Sequence, residues 1–328
     1  MRASRPRCPR RATSTARSSG IRQQQRGGDW IDLSTGINPQ PWPGAAGIAF
    51  DWRRLPEPEH LARLERVAAC DFGGEPRHVC AVPGSVFGLR LVGALIDGDT
   101  AHIAPGYRTH GEMISGSAET VWNEASSATG NLILANPNNP DGRALAPDAL
   151  LASLERGAGW LLVDEAFADA GPALSVAASV ADAQRLIVFR SFGKFFGLAG
   201  VRLGFVVAPT AIVAALRARL GAWPLSEAAI AIGAAAYADA EWIEATRRRL
   251  PREAAALDAM LARHGYRAVG ACPLFRLIDA DDGRALFERL ARRAILTRPF
   301  AGQPRWLRLG LPADAAALAR LDAALGDG

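Results

Sequence analysis

From about residue 58 onward, stretches with helical spacing alternate with short apolar runs bounded by turn formers. Pro58–Phe72 and Ser85–Leu95 read as helices, and Ser85 stands where a hydroxyl would cap the second. The runs His102–Ala104, Leu132–Ala135, Trp160–Val163, Leu186–Phe189 and Gly204–Val207 read as strands. Their near-continuous apolar character is what a parallel sheet covered on both faces requires. Helices dominate from Thr210 to about His264, with Pro251 kinking one helix or dividing two. The last sixty or so residues read as a small α/β unit, with strands Leu274–Ile278 and Trp306–Leu309 and helices Gly283–Arg293 and Ala313–Leu325. Ahead of all this, Trp30–Pro43 (WIDLSTGINPQPWP) is extended and Pro-rich, punctuated by Gly36, as suits a strap laid over another domain. The pattern therefore predicts an α/β protein: a large domain with a mostly parallel sheet covered by helices, and a small C-terminal α/β domain. The expected divisions are a disordered arm at 1–28, a strap at 29–44, a large domain at 45–222 and a small domain at 223–328.

The 328 residues suffice for two domains, and 49% hydrophobic with 22% charged residues is ordinary for a soluble protein. The net charge of +5 suggests nucleic acid only until it is located. Residues 1–28 hold eight arginines and no acid, so the rest of the chain is mildly acidic. Such an arm buries too little apolar surface to fold alone, and its composition is that of a transit peptide as much as of a nucleic-acid tail. No nucleic-acid partner is expected. Cys8, Cys70, Cys80 and Cys272 fit no zinc spacing and no disulfide framework, which indicates a reducing compartment and no metal site. No apolar run approaches the ~18–20 residues of a membrane span. The expected location is the cytoplasm.

One feature of composition changes the picture more. Of the 38 basic residues, Lys194 is the single lysine. Arginine replaces lysine on most surfaces but not as a nucleophile, because a guanidinium keeps its proton where a desolvated ammonium loses it. Lys194 follows a strand in Arg190-Ser191-Phe192-Gly193-Lys194, and other strand ends are as distinctive. Trp160–Val163 runs into Asp164-Glu165-Ala166-Phe167, Leu132–Ala135 into Asn136-Pro137-Asn138-Asn139-Pro140-Asp141-Gly142, and His102–Ala104 into Pro105-Gly106-Tyr107. Pro83-Gly84-Ser85 leads onto a helix N-terminus, whose free N–H groups and dipole favour an anion such as phosphate. Sheets of this kind place ligands at the carboxyl ends of their strands.

These segments, in this order and spacing from about Trp30 to the C-terminus, resemble the aspartate-aminotransferase-type (fold type I) pyridoxal-phosphate enzymes. The strongest piece is Arg190–Gly204 (RSFGKFFGLAGVRLG), which sets an Arg eight residues beyond the Lys. The likeness is closest to the branch that holds the histidinol-phosphate aminotransferases and the threonine-phosphate decarboxylases of cobalamin biosynthesis. The resemblance implies pyridoxal 5'-phosphate carried as a Schiff base on Lys194, which also serves as general acid or base. Asp164 would pair with the pyridine nitrogen, Asn139 with the phenolic oxygen, and Tyr107 would stack on the ring. Gly84, Ser85, Ser191 and Arg202 would hold the cofactor phosphate. Arg308 would clamp the substrate carboxylate, Arg298 would face a substrate phosphate, and Gly36 would bring the strap near the substrate, alongside Asn139.

The implied substrate is a phosphorylated amino acid. The whole-chain likeness, marked by DLSTGINP, DEAF and RSFGKFFGLAGVRLGF, is closer to the decarboxylases and implies decarboxylation of L-threonine O-3-phosphate to (R)-1-amino-2-propanol O-2-phosphate, with a histidinol-phosphate-type aminotransferase as the alternative; no single motif decides between them. Phe167 stands where many aminotransferases of the superfamily have a Tyr. Two departures stand out. The family's N-terminal His-Gly-Gly segment is replaced by Arg26-Gly27-Gly28, and the Tyr-Pro-Asp segment that reaches a neighbour's cofactor phosphate by Leu55-Pro56-Glu57-Pro58. A homodimer is the expectation by analogy.

Overall fold

The computed structural model describes residues 29–124, 129–156 and 158–326, so the basic arm expected at 1–28 lies outside the described residues. The strap opens with β1 (Ile31–Asp32) and a 3-10 turn at Pro43–Gly47. Helix α1 (Pro58–Phe72) begins with its Pro at the first turn and ends on Gly73, at φ 70°. Then come β2 (Val79–Val82), α2 (Ser85–Gly93), β3 (Thr100–Ile103), α3 (Arg108–Met113), β4 (Ala118–Thr120), β5 (Asn131–Ala135) and α4 (Pro147–Arg156). The chain continues through β6 (Leu161–Asp164), β7 (Leu186–Ser191), α5 (Phe192–Phe195), β8 (Gly204–Val207), α6 (Thr210–Leu220), α7 (Glu227–Ala238) and α8 (Ala240–Arg263). It closes with β9 (Ala268–Val269), β10 (Phe275–Asp279), α9 (Gly283–Arg292), β11 (Ile295–Leu296), β12 (Arg298–Phe300), β13 (Gln303–Gly310) and α10 (Ala315–Gly326).

Seven strands form the main sheet, in the order β2-β8-β7-β6-β5-β3-β4. Successive residues of each buried strand feed two different cores. Val79, Leu132, Leu134, Leu161, Val163, Val188 and Phe205 face one; Cys80, Ile133, Leu162, Ile187, Phe189 and Val206 face the other. Both alternating faces are apolar because helices cover both, which is why these strands read as unbroken apolar runs. The sheet is parallel except for β8, which runs antiparallel to β7 and to β2. Between β7 and β8 the chain carries only α5 and a 3-10 turn, too little for a crossover, so β8 returns beside β7. A second, antiparallel sheet β12-β13-β10-β9 makes the C-terminal unit, and β1 of the strap pairs in parallel with β11.

Two sequence expectations are corrected or resolved. Ser85 does not cap α2: Gly84 is the N-cap residue, with no side-chain cap bond, and Ser85 is the first helical residue. Its hydroxyl is thereby left to face the strand ends. Pro251 divides nothing, since α8 runs unbroken through it with Pro251 on the exposed side and Leu250 fully buried.

Helix α7 lies so close to α1 that a Cβ on Gly233 would stand 2.9 Å from Leu64 Cδ1. Neighbours packed this tightly relax little around a void. Leu64→Ala is expected to cost about 2–5 kcal/mol of stability, read as a lower denaturation midpoint in urea.

Candidate active site

The carboxyl ends of β2, β3, β5, β6 and β7 open onto one cavity of 290 Å³. It is lined by Gly84, Ser85, Tyr107, Asn139, Asp164, Ser191, Lys194 and Arg202, together with Phe167. Residues spread over more than a hundred positions meet because parallel strands end on the same edge and each strand end turns directly into a loop or helix. Gly36, Arg298 and Arg308 do not line this cavity.

One end of the cavity is built for an anion. The N-terminus of the nine-residue α2 points there, and Gly84 precedes it at φ 91°. A Cβ on Gly84 would lie 2.6 Å from an Arg202 Nη2, so a side chain there would displace the guanidinium. Arg202 itself sits at φ 58° and ψ 49°, a left-handed conformation that a residue with a Cβ adopts at a cost. The turn is thereby closed tightly enough to bring its charge back beside Gly84, with Nη1 donating to Ala199 O at 3.2 Å. Helix N–H groups, the Ser85 and Ser191 hydroxyls and one fixed cation are a donor set for a phosphate dianion.

At the centre stands Lys194, on the one-turn helix α5 that starts immediately after β7. Burial lowers the pKa of its amine, Arg308 and Arg202 lower it further, and Asp164 opposes them. Its Nζ lies 5.8 Å from the centre of the Phe167 ring. Asp164, on the neighbouring strand, is buried and held at both oxygens: Ala166 N donates to Oδ1 at 3.1 Å, and Oδ2 lies 3.0 Å from His110 Nε2. His110 was not among the residues singled out from sequence. It is fully buried on α3, three residues beyond Tyr107, and its ring meets that of Tyr107 edge-on at 5.6 Å. Only the spacing Tyr-x-x-His could have signalled it, and that spacing has no chemistry until the helix turns the histidine toward Asp164.

Arg308, on β13, joins the site from the C-terminal unit. Its Nη1 donates to Asn139 Oδ1 and its Nη2 to Ser34 O of the strap, the second at 3.0 Å. Burial, then the neighbouring Arg298, pull its pKa down to about 10, and its guanidinium stands 5.1 Å over the Phe275 ring. Its Nε has no partner among the described residues. Gly36 presses the strap onto Phe275 and Phe167, which meet edge-on at 5.0 Å; a Cβ there would stand 2.8 Å and 3.1 Å from the two rings. Arg298 is Arg308's partner across β12 and β13, and is exposed.

A desolvated amine, an anion cradle and a carboxylate fixed from behind, around a cavity with an aromatic wall, fit pyridoxal phosphate group by group. The fold and the site define a pyridoxal-phosphate enzyme of the aspartate-aminotransferase type. Comparison with known proteins agrees: the chain belongs to the aminotransferase class I and II family, whose pattern matches residues 117–324. It is 40% identical over 308 residues to the threonine-phosphate decarboxylase of Pseudomonas aeruginosa, covering 90% of this chain and 91% of that one. A threonine-phosphate decarboxylase from a Sinorhizobium species is 41% identical over 309 residues, 90% of this chain and 92% of its own. Among solved structures, the histidinol-phosphate aminotransferase from Sinorhizobium meliloti in complex with pyridoxal-5'-phosphate superposes with a TM-score of 0.81 over 98% of each chain. Its identity is 20%, so this is a likeness of fold.

Arg202→Gly separates the two sides of that residue. Losing charge-assisted hydrogen bonds of about 1.5–3 kcal/mol is expected to weaken cofactor binding roughly ten- to a hundredfold. Relief of ~1–2 kcal/mol of left-handed strain should leave the cofactor-free protein as stable or more so. Calorimetric titration with pyridoxal phosphate and thermal melting of the apoprotein check the two halves.

Proposed function

We propose that the protein decarboxylates L-threonine O-3-phosphate to (R)-1-amino-2-propanol O-2-phosphate, the aminopropanol linker of cobalamin. The observation that carries this reading is the whole-length likeness to two threonine-phosphate decarboxylases, at 40% and 41% identity. Pyridoxal phosphate, when bound, supplies the electron sink for the bond broken at the substrate α-carbon. The chain's own residues do the rest. Lys194 would hold the cofactor covalently and, when free, would serve as the proton donor to the substrate α-carbon. Asp164, backed by His110, would keep a proton on the pyridine nitrogen. The α2 N-terminus with Gly84 and Ser85, Ser191 and Arg202 would hold the cofactor phosphate, Tyr107 would face the ring, and Asn139 would donate to its phenolic oxygen.

Substrate contacts fall to the second set. Arg308 would clamp the substrate α-carboxylate, exchanging its present bond to Asn139 for the ligand. Arg298 faces the substrate phosphate from the outer strand, and Gly36 leaves the strap room to approach. Phe167 and Phe275 give the reacting centre an apolar wall with no hydroxyl to stand in for the Tyr common at residue 167 in aminotransferases. Transamination of histidinol phosphate is the second reading, because the same groups would serve it.

The protein is further proposed to act in the cytoplasm as a homodimer. Cys70, Cys80 and Cys272 are free thiols, as a reducing compartment leaves them. No helix among the described residues is long and apolar enough to cross a membrane. A second groove of 330 Å³, away from the strand ends, is lined by Pro56, Pro58, Leu61, Trp223 and Leu225. Leu55 and Trp223 beside it are more than half exposed, and Trp223 is held at φ 55°. A second copy of the chain is the proposed occupant, since this is the stretch where the branch places its intersubunit segment.

Carbon dioxide is expected from L-threonine O-3-phosphate with the purified holoenzyme, and none with Lys194→Ala. Amino transfer from histidinol phosphate to 2-oxoglutarate, without carbon dioxide release, would replace the first reading by the second. In sedimentation velocity the wild type is expected at twice the chain mass and Trp223→Asp shifted toward the monomer; a monomeric wild type would refute the dimer.

A further inference from the structure

Beneath the two strand ends that carry Asp164 and Lys194 lies a set of buried charges that the reaction does not use. Arg190 is 1% exposed, Glu165 0% and Asp169 1%. Arg190 Nη1 donates to Glu165 Oε2 at 3.0 Å and to Ser175 Oγ at 3.1 Å, and its Nη2 donates to Asp169 Oδ1. Glu165 also accepts from Ser175 Oγ and from Val176 N, each at 2.6 Å. The Phe72 ring covers the guanidinium at 4.4 Å. None of these charged side chains reaches the cofactor cavity.

Their place in the chain is what gives them a role. Glu165 follows Asp164 directly, Arg190 precedes Ser191, and Lys194 comes one turn later. The last backbone tie between β6 and β7 is Glu165 N to Phe189 O, at 2.8 Å. Beyond it the two chains part, one to the 165–170 turn and the other to α5. The Arg190–Glu165 pair is the next rung, made by side chains. Because side chains alternate along a strand, Arg190 goes to the face opposite Ser191, and Glu165 meets it there. The tie extends outward: Arg247 of α8 donates from Nε to Asp169 O at 3.0 Å, and its Nη2 to both Asp71 oxygens at 3.0 and 3.2 Å. The same guanidinium stands 5.9 Å from the ring of Phe195, the neighbour of Lys194.

Stability does not account for such an arrangement. Burying ions costs solvation that their attraction seldom exceeds, and an apolar set of equal volume often holds a core as well. Burial pushes both carboxyl groups upward, and Arg190 opposes it. An apolar set lacks direction, whereas a planar guanidinium forked between two carboxylates fixes distance and angle together. We propose that Arg190, with Glu165 and Asp169, is a positioning group that holds Asp164 and the lysine-bearing turn in register beneath the cofactor and ties both to α8 through Arg247. The proposal rests on the assignment of Lys194 and Asp164 to the cofactor, and not on which substrate is used.

The test uses a neutral variant of similar shape, Arg190→Met with Glu165→Gln and Asp169→Asn, beside the single Arg190→Lys, which keeps the charge and loses the fork. Two substrate-independent quantities are read: the affinity for pyridoxal phosphate, and the pH midpoint of Lys194 reductive methylation in cofactor-free protein, followed by peptide mass spectrometry. Wild type and the neutral variant hold one lysine, so the second reading is direct there; in Arg190→Lys, fragmentation of the peptide separates methylation at residue 190 from methylation at Lys194. The charged groups facing Lys194, namely Asp164, Arg202 and Arg308, are not substituted in either variant, so a moved midpoint reports a change in their placement or in the burial of the amine. Each variant is expected to fold, by circular dichroism, to bind cofactor at least tenfold more weakly, and to show a Lys194 midpoint raised toward that of free lysine. A folded variant with affinity within twofold of wild type and an unmoved midpoint would overturn the proposal. If the neutral variant does not fold, Arg190→Lys decides by the same two readings. A wild-type chain that fails to attach cofactor at Lys194 would overturn the cofactor assignment and this proposal together, whereas loss of carbon dioxide release alone would touch only the substrate reading.

Discussion

The amine of Lys194 has to be stripped of water and still be reachable, and the architecture around it follows from that conflict. Deep burial in a core would desolvate it but deny entry to ligands; a surface loop would admit ligands but leave it protonated. A one-turn helix at the end of a central parallel strand meets both needs. The strand is buried on both faces, so its end is dry, while the sheet edge opens onto a cavity. Arg308 and Arg202 add a second pressure, since a cation between two others gives up its proton more readily. In the proposed function the same two arginines bind the anionic groups of cofactor and substrate, so the charges that lower the lysine have a second use.

The strap serves the same end by a different route. Asn38 N donates to Lys194 O and Trp42 N to Phe196 O, so the backbone of the lysine turn is satisfied by a distant segment instead of by water. The same segment meets the C-terminal unit through Gly310 N to Leu33 O and through the Arg308 bond to Ser34 O. One extended stretch thus closes the lysine turn and orients the arginine on β13, and Gly36 lets it lie flat on Phe167 and Phe275. The 330 Å³ groove is touched by neither the strap nor Lys194; its walls are mostly apolar, with Glu57, Glu65 and Arg217 among them.

Much of the fold was legible because its signals are local. Pro58–Phe72 carries its own start and stop, and the structure returns the same bounds. Gly204–Val207 was found as a strand, but its direction was not, because antiparallel pairing depends on how far the connecting chain can reach. Val79–Val82 escaped notice: four apolar residues between two helices have no period of their own, and β2 is a strand only because β8 pairs with it. Ser85 was read as a cap from residue type alone, whereas the positive φ of Gly84 places the boundary one residue earlier. His110 and the Arg190 cluster were missed for the same reason. A histidine in a polar turn of helix, or an arginine at the end of an apolar strand, carries no signal until a partner from fifty positions away, or from another strand, is brought beside it.

The sequence by itself determined the class of chemistry: one lysine among many arginines, set after a strand, with an acid, an asparagine turn and a glycine turn at the ends of others. Those are properties of residue type and short spacing, and no packing is needed to read them. Tertiary structure alone decided the electrostatics: that Asp164 is held by His110, that Arg308 is buried and bonded to Asn139 while Arg298 stays outside, and that Glu165 and Arg190 face away from the cavity. Each depends on desolvation and on distances of about 3 Å between residues remote in sequence. A linear chain specifies such distances only through the folding of everything between them.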